Sequence, residues 1–273
     1  MWDSTREPLP RRKKPSDIAC WNYKAEYGIP KSRIVELLFQ GITQKCSQLL
    51  AIKEPDLAQS RHVIRDHQMN THFNFEQKPI YLTCRSHRLL TSDKPLARFA
   101  SKDQVLETKD RNIEGIWPMS PLVDLVKSHL YKTEDETGYT RNYRYPHHHT
   151  LFLEHSSDWT MNMRHANAIL MSYAHSLQLA RQHRISDYLV NEPVCVQTVH
   201  TDGVSVGYTC FQLNTMEGSS EESKGYGSRH NMAWVDDDMM FTKVVPRRSM
   251  LRDTQYKDYN PDVFAKILGL FCR

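Results

Sequence analysis

The 273-residue sequence predicts an α+β fold: a mixed, mainly antiparallel sheet with a central β-hairpin and packed helices. Three stretches carry that expectation. Glu192 to Thr215 holds two runs of valine, threonine and aromatics around Asp202-Gly203, a dipeptide suited to a two-residue type I′ turn. Met161 to His183 is the longest helical stretch. Ala166, Ile169, Leu170, Tyr173, Ala174, Leu177 and Ala180 line one face of it, and Arg164, Gln178, Arg181 and Gln182 lie off that face. Asn260-Pro261-Asp262 caps a closing helix whose apolar residues are Val263, Phe264, Ile267, Leu268 and Phe271.

In the hairpin a type I′ turn sets Thr201 opposite Val204, Val199 opposite Val206, Gln197 opposite Tyr208 and Cys195 opposite Cys210. One face is then apolar throughout, through Val199, Val204, Val206 and Tyr208. The other is apolar only at the open end, through Val194, Val196, Phe211 and Leu213. Such a hairpin is covered on both faces at its base and on one face near its turn. The helix of Met161 to His183 is expected to pack on it.

The remaining elements follow in order. Residues 1–28 read as a basic, proline-rich extension, with Arg11, Arg12, Lys13 and Lys14 among Pro8, Pro10 and Pro15. That run is either a solvated linker or a phosphate contact. Asp3 and Glu7 interrupt the amphipathic basic pattern of a mitochondrial presequence. Residues 29–273 read as one mixed α+β domain, with a subdivision near 90–115 as the variant. Ile29 to Ile52 repeats apolar residues at helical spacing, and a short helix is expected over Asp56 to Arg65. Phe73 to Glu76 and Ile80 to Ser86 alternate like strands, and Arg85, His87 and Arg88 read as a solvated loop after them. Ser101 should cap a helix reaching Thr108, and Gly115 to Leu125, cut by Pro118 and Pro121, should form an extended strap. Glu134 to Tyr139 reads as a turn, Gly218 to Gly227 as a loop, and Asn231 to Val235 and Phe241 to Val245 as strands.

Composition excludes little. Apolar residues at 39% and charged ones at 25% suit a globular chain and argue against disorder throughout. The net charge is only +4, but residues 239–273 carry seven Lys/Arg against three Asp/Glu, so the basic excess sits at the C-terminal end. Six cysteines without a CxxC pair suggest reduced thiols, Cys195 and Cys210 included. No apolar run approaches the ~20 residues of a membrane span.

Few residues suggest reaction chemistry. His147-His148-His149 with His155 invites a zinc reading, but neighbouring side chains on an extended segment point to opposite sides. Asp236-Asp237-Asp238 invites magnesium, but a solvated turn is the simpler reading. Nucleophile-elbow, phosphate-loop and dinucleotide motifs do not occur.

A series of short stretches in order is more specific. It comprises WPMSPLVDL from Trp117, Gly138-Tyr139, YPHHHTLFL from Tyr145, the helix around Ala166 to Ala180, EPVCVQTVHTDG from Glu192, NMAWVD from Asn231 and NPDVFAKILGL from Asn260. Together they resemble the family of the thirty-seventh protein of the mitochondrial large ribosomal subunit, whose sister family is the mitochondrial ribosomal protein also called programmed cell death protein nine. The resemblance is clear from about Lys94 onward and fainter from Pro30 to Thr91. The family usually begins with a presequence and a further region, so this chain is expected to be a shortened or mis-started version. His147 and His148 interrupt the family's Tyr-Pro-His-Thr-Leu pattern and read as local drift.

The resemblance implies a structural constituent of the mitoribosome in the mitochondrial matrix, supporting mitochondrial translation, without a catalytic site, cofactor or metal. Mitochondrial rRNA and neighbouring mitoribosomal proteins are the implied partners, the sister family member first among the proteins. Candidate rRNA contacts are Arg11, Arg12, Lys13, Lys14, Arg141, Arg144, Arg247, Arg248 and Arg252, each either a phosphate contact or solvated surface. The alternatives are a metal- or nucleotide-dependent enzyme built on the histidine or aspartate run, and a free mitochondrial protein-interaction module.

Overall fold

The computed structural model describes residues 31–75, 78–108, 111, 136–140, 142–182, 189–216, 230–244 and 255–273. The elements in chain order are α1 (Lys31–Lys53), α2 (Pro55–Gln59), β1 (Arg61–Phe75), β2 (Lys78–Ser92), α3 (Lys102–Glu107), β3 (His147–Glu154), α4 (Met161–Gln182), β4 (Leu189–Thr201), β5 (Ser205–Thr215), β6 (Met232–Met239), β7 (Thr242–Val244), β8 (Gln255–Lys257) and α5 (Pro261–Cys272). Strands β1 to β6 form one sheet in sequence order, and β7 pairs with β8 separately. Among the described strands only β3 and β4 run parallel, and α4 is the crossover that parallel neighbours require. The α+β class with a mostly antiparallel sheet is the architecture observed.

Helices cover both faces. On one, Val35, Phe39, Cys46 and Leu50 of α1 and Val263, Ile267 and Phe271 of α5 pack with Leu90, Phe152, Val199, Val206 and Tyr208 of the sheet. On the other, α4 places Leu179 against Leu89, Leu151, Leu153 and Val196, and Ala180 against Phe211 and Leu213. The two hairpin faces thus divide as the alternation predicts. Asn260 Oδ1 accepts from the Asp262 N–H at the start of α5, and Ser101 and Gln104 form a reciprocal capping box on α3.

The hairpin register differs from expectation by two residues. Thr201 pairs with Val206, Val199 with Tyr208 and Gln197 with Cys210, leaving a longer connection through Asp202, Gly203 and Val204. Asp202 is the reason. Its Oδ1 accepts from the N–H groups of Val204 (3.0 Å) and Ser205 (2.8 Å), while the Gly203 N–H donates to Thr201 Oγ1 (2.9 Å). Gly203 has a φ of +92°, but Asp202 is not among the residues with positive φ, so the turn is not type I′. A shift of two preserves every residue's face. The turn end is also covered on both faces: Ile34 and Val35 approach Gly203 from α1, and Arg164 and His165 of α4 are buried with Thr201 and Ser205.

The first hairpin departs further. Helix α2 stops at Gln59, and β1 starts two residues later, paired with β2 from Arg61–Ser92 to Phe75–Lys78. Val63 and Ile64 pack in different cores, as adjacent strand residues must, which a helix over Asp56 to Arg65 could not achieve. Arg85, His87 and Arg88 lie inside β2, not in a loop, and Arg88 is buried. The aspartate run lies inside edge strand β6, not in a turn. The strap of Gly115 to Leu125 and the loop of Gly218 to Gly227 lie outside the described residues.

Candidate nucleic-acid interface

Most of the basic residues singled out by sequence lie outside the described residues: Arg11, Arg12, Lys13, Lys14, Arg141, Arg247, Arg248 and Arg252. Arg144 is the exception. It is exposed just before β3, and its guanidinium carbon lies 5.4 Å from the centroid of the Tyr145 ring. Around it stands an aromatic wall absent from the sequence-based list. His62 of β1 lies nearly parallel to Tyr145, with an interplanar angle of 19° and centroids 5.8 Å apart. Tyr143 stands edge-on to both His62 and Tyr145, and Tyr139 lies 4.9 Å from Tyr143. The alternation of tyrosine and arginine from Tyr139 to Tyr145 was the available signal; His62, more than seventy residues away, was not legible.

Behind this edge, the layer between α4 and the sheet is rich in buried histidine. His148 and His175 bring their Nδ1 atoms to 2.8 Å, so one ring donates to the other, and His67 Nε2 donates to the Thr137 carbonyl at 2.7 Å. A second group joins His200 to His165 at 3.3 Å and His155 to Asn167 Oδ1 at 3.0 Å. Burial favours the neutral form of His67, His155, His175 and His200. The pKa of His175 falls well below the ordinary value, first by burial and then by His148; His155 is pushed down to about 4 and His200 to about 2, in each case chiefly by burial. His149 is likewise buried, with its Nε2 meeting the Arg61 guanidinium. His148 and His149 are therefore packed in the core, and His147 is half-buried. Gly207 lies opposite His200, and a Cβ there would collide with the His200 ring.

Two further ionic clusters pair side chains of this chain with one another, one buried and one at the surface. Arg164, placed off the apolar face by periodicity, is buried. It reaches Asp202 Oδ2 at 2.9 Å, Ser205 Oγ at 2.7 Å and the Trp159 carbonyl at 3.1 Å. Burial opposes ionisation of Asp202, but the Ser205 and Val204 N–H groups and Arg164 outweigh it and hold the carboxyl below its usual range. Lys266 of α5 bridges Asp236 (2.7 Å) and Asp238 (2.8 Å), occupying the space a cation would need. Among the described residues, no group of three or more histidine, cysteine or acidic side chains is arranged to hold a metal. No described helix is long and apolar enough to cross a membrane.

Comparison with known proteins bears on this geometry. A family model described as "Mitochondrial 28S ribosomal protein S30 (PDCD9)" matches residues 56–273, from α2 through α5. Curated relatives named "Large ribosomal subunit protein mL37" are similar over most of the chain. The Mus musculus protein is 29% identical over 248 residues, covering 86% of this chain and 57% of its own length. The Rattus norvegicus protein is 27% identical over 247 residues, with the same coverage of 86% and 57%. The Gallus gallus protein is 26% identical over 283 residues, covering 99% of this chain and 60% of its own. The chain thus spans somewhat over half the length of these relatives.

Proposed function

Because the chain belongs to the family described as mitochondrial 28S ribosomal protein S30 (PDCD9), we propose that it is a structural, non-catalytic constituent of the mitoribosome, located in the mitochondrial matrix. The family description carries a small-subunit name, whereas the mouse, rat and chicken relatives are named for the large subunit. The large subunit is the better reading, since those relatives match 86–99% of the chain under that name. The observation that carries it is this match, running through the sheet and the helices on both its faces.

Support from the fold is of a second kind. In the two runs that invited a metal, His148 and His149 are core and Lys266 bridges Asp236 and Asp238, while Arg164 clamps the hairpin loop. A basic extension over 1–28 ahead of one domain over 29–273 suits a protein that holds rRNA by phosphate contacts and neighbours by its surfaces. Arg11, Arg12, Lys13, Lys14, Arg141, Arg144, Arg247, Arg248 and Arg252 are the proposed phosphate contacts, and the sister family member is the first protein neighbour to look for.

Washing isolated large subunits with rising salt tests this. On the nucleic-acid model each phosphate contact contributes roughly 0.7–0.9 log units of affinity per decade of salt. Release of the wild-type chain should therefore steepen with salt, and alanine at Arg247, Arg248 and Arg252 together should flatten the curve. A triple variant that keeps the wild-type slope removes those arginines from the rRNA interface. A chain that never copurifies with large subunits removes the reading itself.

A further inference from the structure

At the β1 edge of the sheet, where the chain enters β3, one imidazole, three phenol rings and one guanidinium form a continuous surface cluster. Every hydroxyl in it is held locally. Tyr145 Oη donates to the Gln59 carbonyl at 3.0 Å, Tyr139 Oη to the Pro146 carbonyl at 2.6 Å, and the Tyr143 hydroxyl meets His62 Nδ1 and Thr91 Oγ1. These bonds orient the rings and leave the hydroxyls engaged within the chain. His62 and Arg144 are exposed, while Tyr139, Tyr143 and Tyr145 are half-buried. Neighbouring Arg61 is turned inward onto buried His149, whereas Arg144 is exposed.

We infer that His62, Tyr143, Arg144 and Tyr145 form a stacking platform for an unpaired base of single-stranded RNA. Rigid rings carry little ordering cost on binding, and a base can extend the His62–Tyr145 stack or lie on the guanidinium plane. The Arg144 charge then falls beside the phosphate of the same nucleotide. Every base has a π face, so the platform is tolerant of sequence, but a duplex hides those faces and is excluded. A cluster serving only to pack the sheet edge needs neither an exposed imidazole nor an outward guanidinium over a ring. This inference rests on the ribosomal reading for the encounter with RNA, and it replaces a plain phosphate contact at Arg144 with recognition of unpaired nucleotides.

The test uses the purified full chain with a labelled ten-nucleotide single-stranded RNA carrying one internal 2-aminopurine, and a hairpin duplex as comparison. The single strand should bind more tightly than the duplex, with 2-aminopurine fluorescence quenched on binding. His62→Ala and Tyr145→Leu should each weaken single-strand binding about tenfold, within the range for loss of one base–aromatic stack. Tyr145→Phe should bind as wild type. Arg144→Lys, which keeps the charge and removes the plane, should reduce quenching more than it reduces the salt slope. If Tyr145→Leu lowers the melting temperature, the exposed His62→Ala variant carries the test. Equal affinity for single strand and duplex, unquenched fluorescence, or wild-type binding by both His62→Ala and Arg144→Lys overturns the platform. Copurification with large subunits is read separately: loss of single-strand preference in a chain still on the subunit sinks the platform alone.

Discussion

Gly203 holds a φ of +92°, and a Cβ built there would meet Val35 at 3.6 Å and Ile34 at 4.0 Å, both ordinary contacts, so space is not what requires glycine. The requirement is backbone conformation. Gly203→Val should therefore destabilise the fold by about 1–2 kcal/mol or more, read by urea denaturation; an unchanged midpoint would mean the loop relaxes to negative φ. The glycine was legible in the sequence because Asp-Gly marks turns. The two-residue register shift was not, because it depends on how the Asp202 carboxylate is shared among Val204, Ser205 and Arg164, the last of them 38 positions away. The buried histidines lead to a pH dependence. His67, His155, His175 and His200 have folded pKa values depressed by burial below the ordinary 6.5, so the unfolded chain binds more protons once pH falls below that value. Their contribution is fully present above pH 6.5 and is lost as pH falls, toward about 4 for His155 and lower for His200. Each such group contributes up to about 1.4 kcal/mol per pH unit in that window. Stability measured at pH 7.5, 6.5 and 5.5 should drop steeply over the last interval; a flat profile would show these rings are not held neutral. The same packing bears on the histidine run. His148→Ala leaves a hole beside His175 and should lower the melting temperature, while half-buried His147 tolerates the change better.

Helix α4 shows what periodicity reveals and what it misses. Apolar spacing placed a helix over Met161 to His183 and its seat on the hairpin; the helix runs Met161–Gln182, and His183 lies outside the described residues. The buried surface is wider than that stripe, since Arg164, His165, Ser172, His175, Ser176 and Gln178 are buried too. These polar residues find partners on distant strands, as when Ser172 meets Thr198 at 2.7 Å, and no local pattern announces that. Leu177 is fully buried but Leu170 only half, so the two substitutions should separate. Leu177→Ala should cost ~2–5 kcal/mol and Leu170→Ala less than half as much; equal losses would place Leu170 in the core after all. Strands β1 and β2 were underestimated for a related reason. Val63 packs with α1 whereas Met69 packs with Ala174 of α4, although both are odd-numbered. Between them Asp66, at a φ of +48°, breaks the alternation, and Leu90 and Cys84 show the same change of face on β2. A period-two search stops at such a switch.

Among the described residues the main sheet has six strands, with α1 and α5 on one face and α4 on the other. The ordered series of short stretches led to the right family, and the family match reaches back to residue 56, through the hairpin where the resemblance was faint. The proposed interface was only partly readable: the basic runs stand out in composition, whereas the His62–Tyr145 stack exists only once the fold brings β1 and the segment before β3 together. The central claim is membership of the large subunit, and gradient fractionation of a mitochondrial lysate measures it most directly. In magnesium the chain should sediment with assembled ribosomes and free large subunits. After the subunits are separated by chelation, it should remain in the large-subunit peak at about one copy per particle. A chain found at the top of the gradient, or moving with the small subunit, would contradict the account.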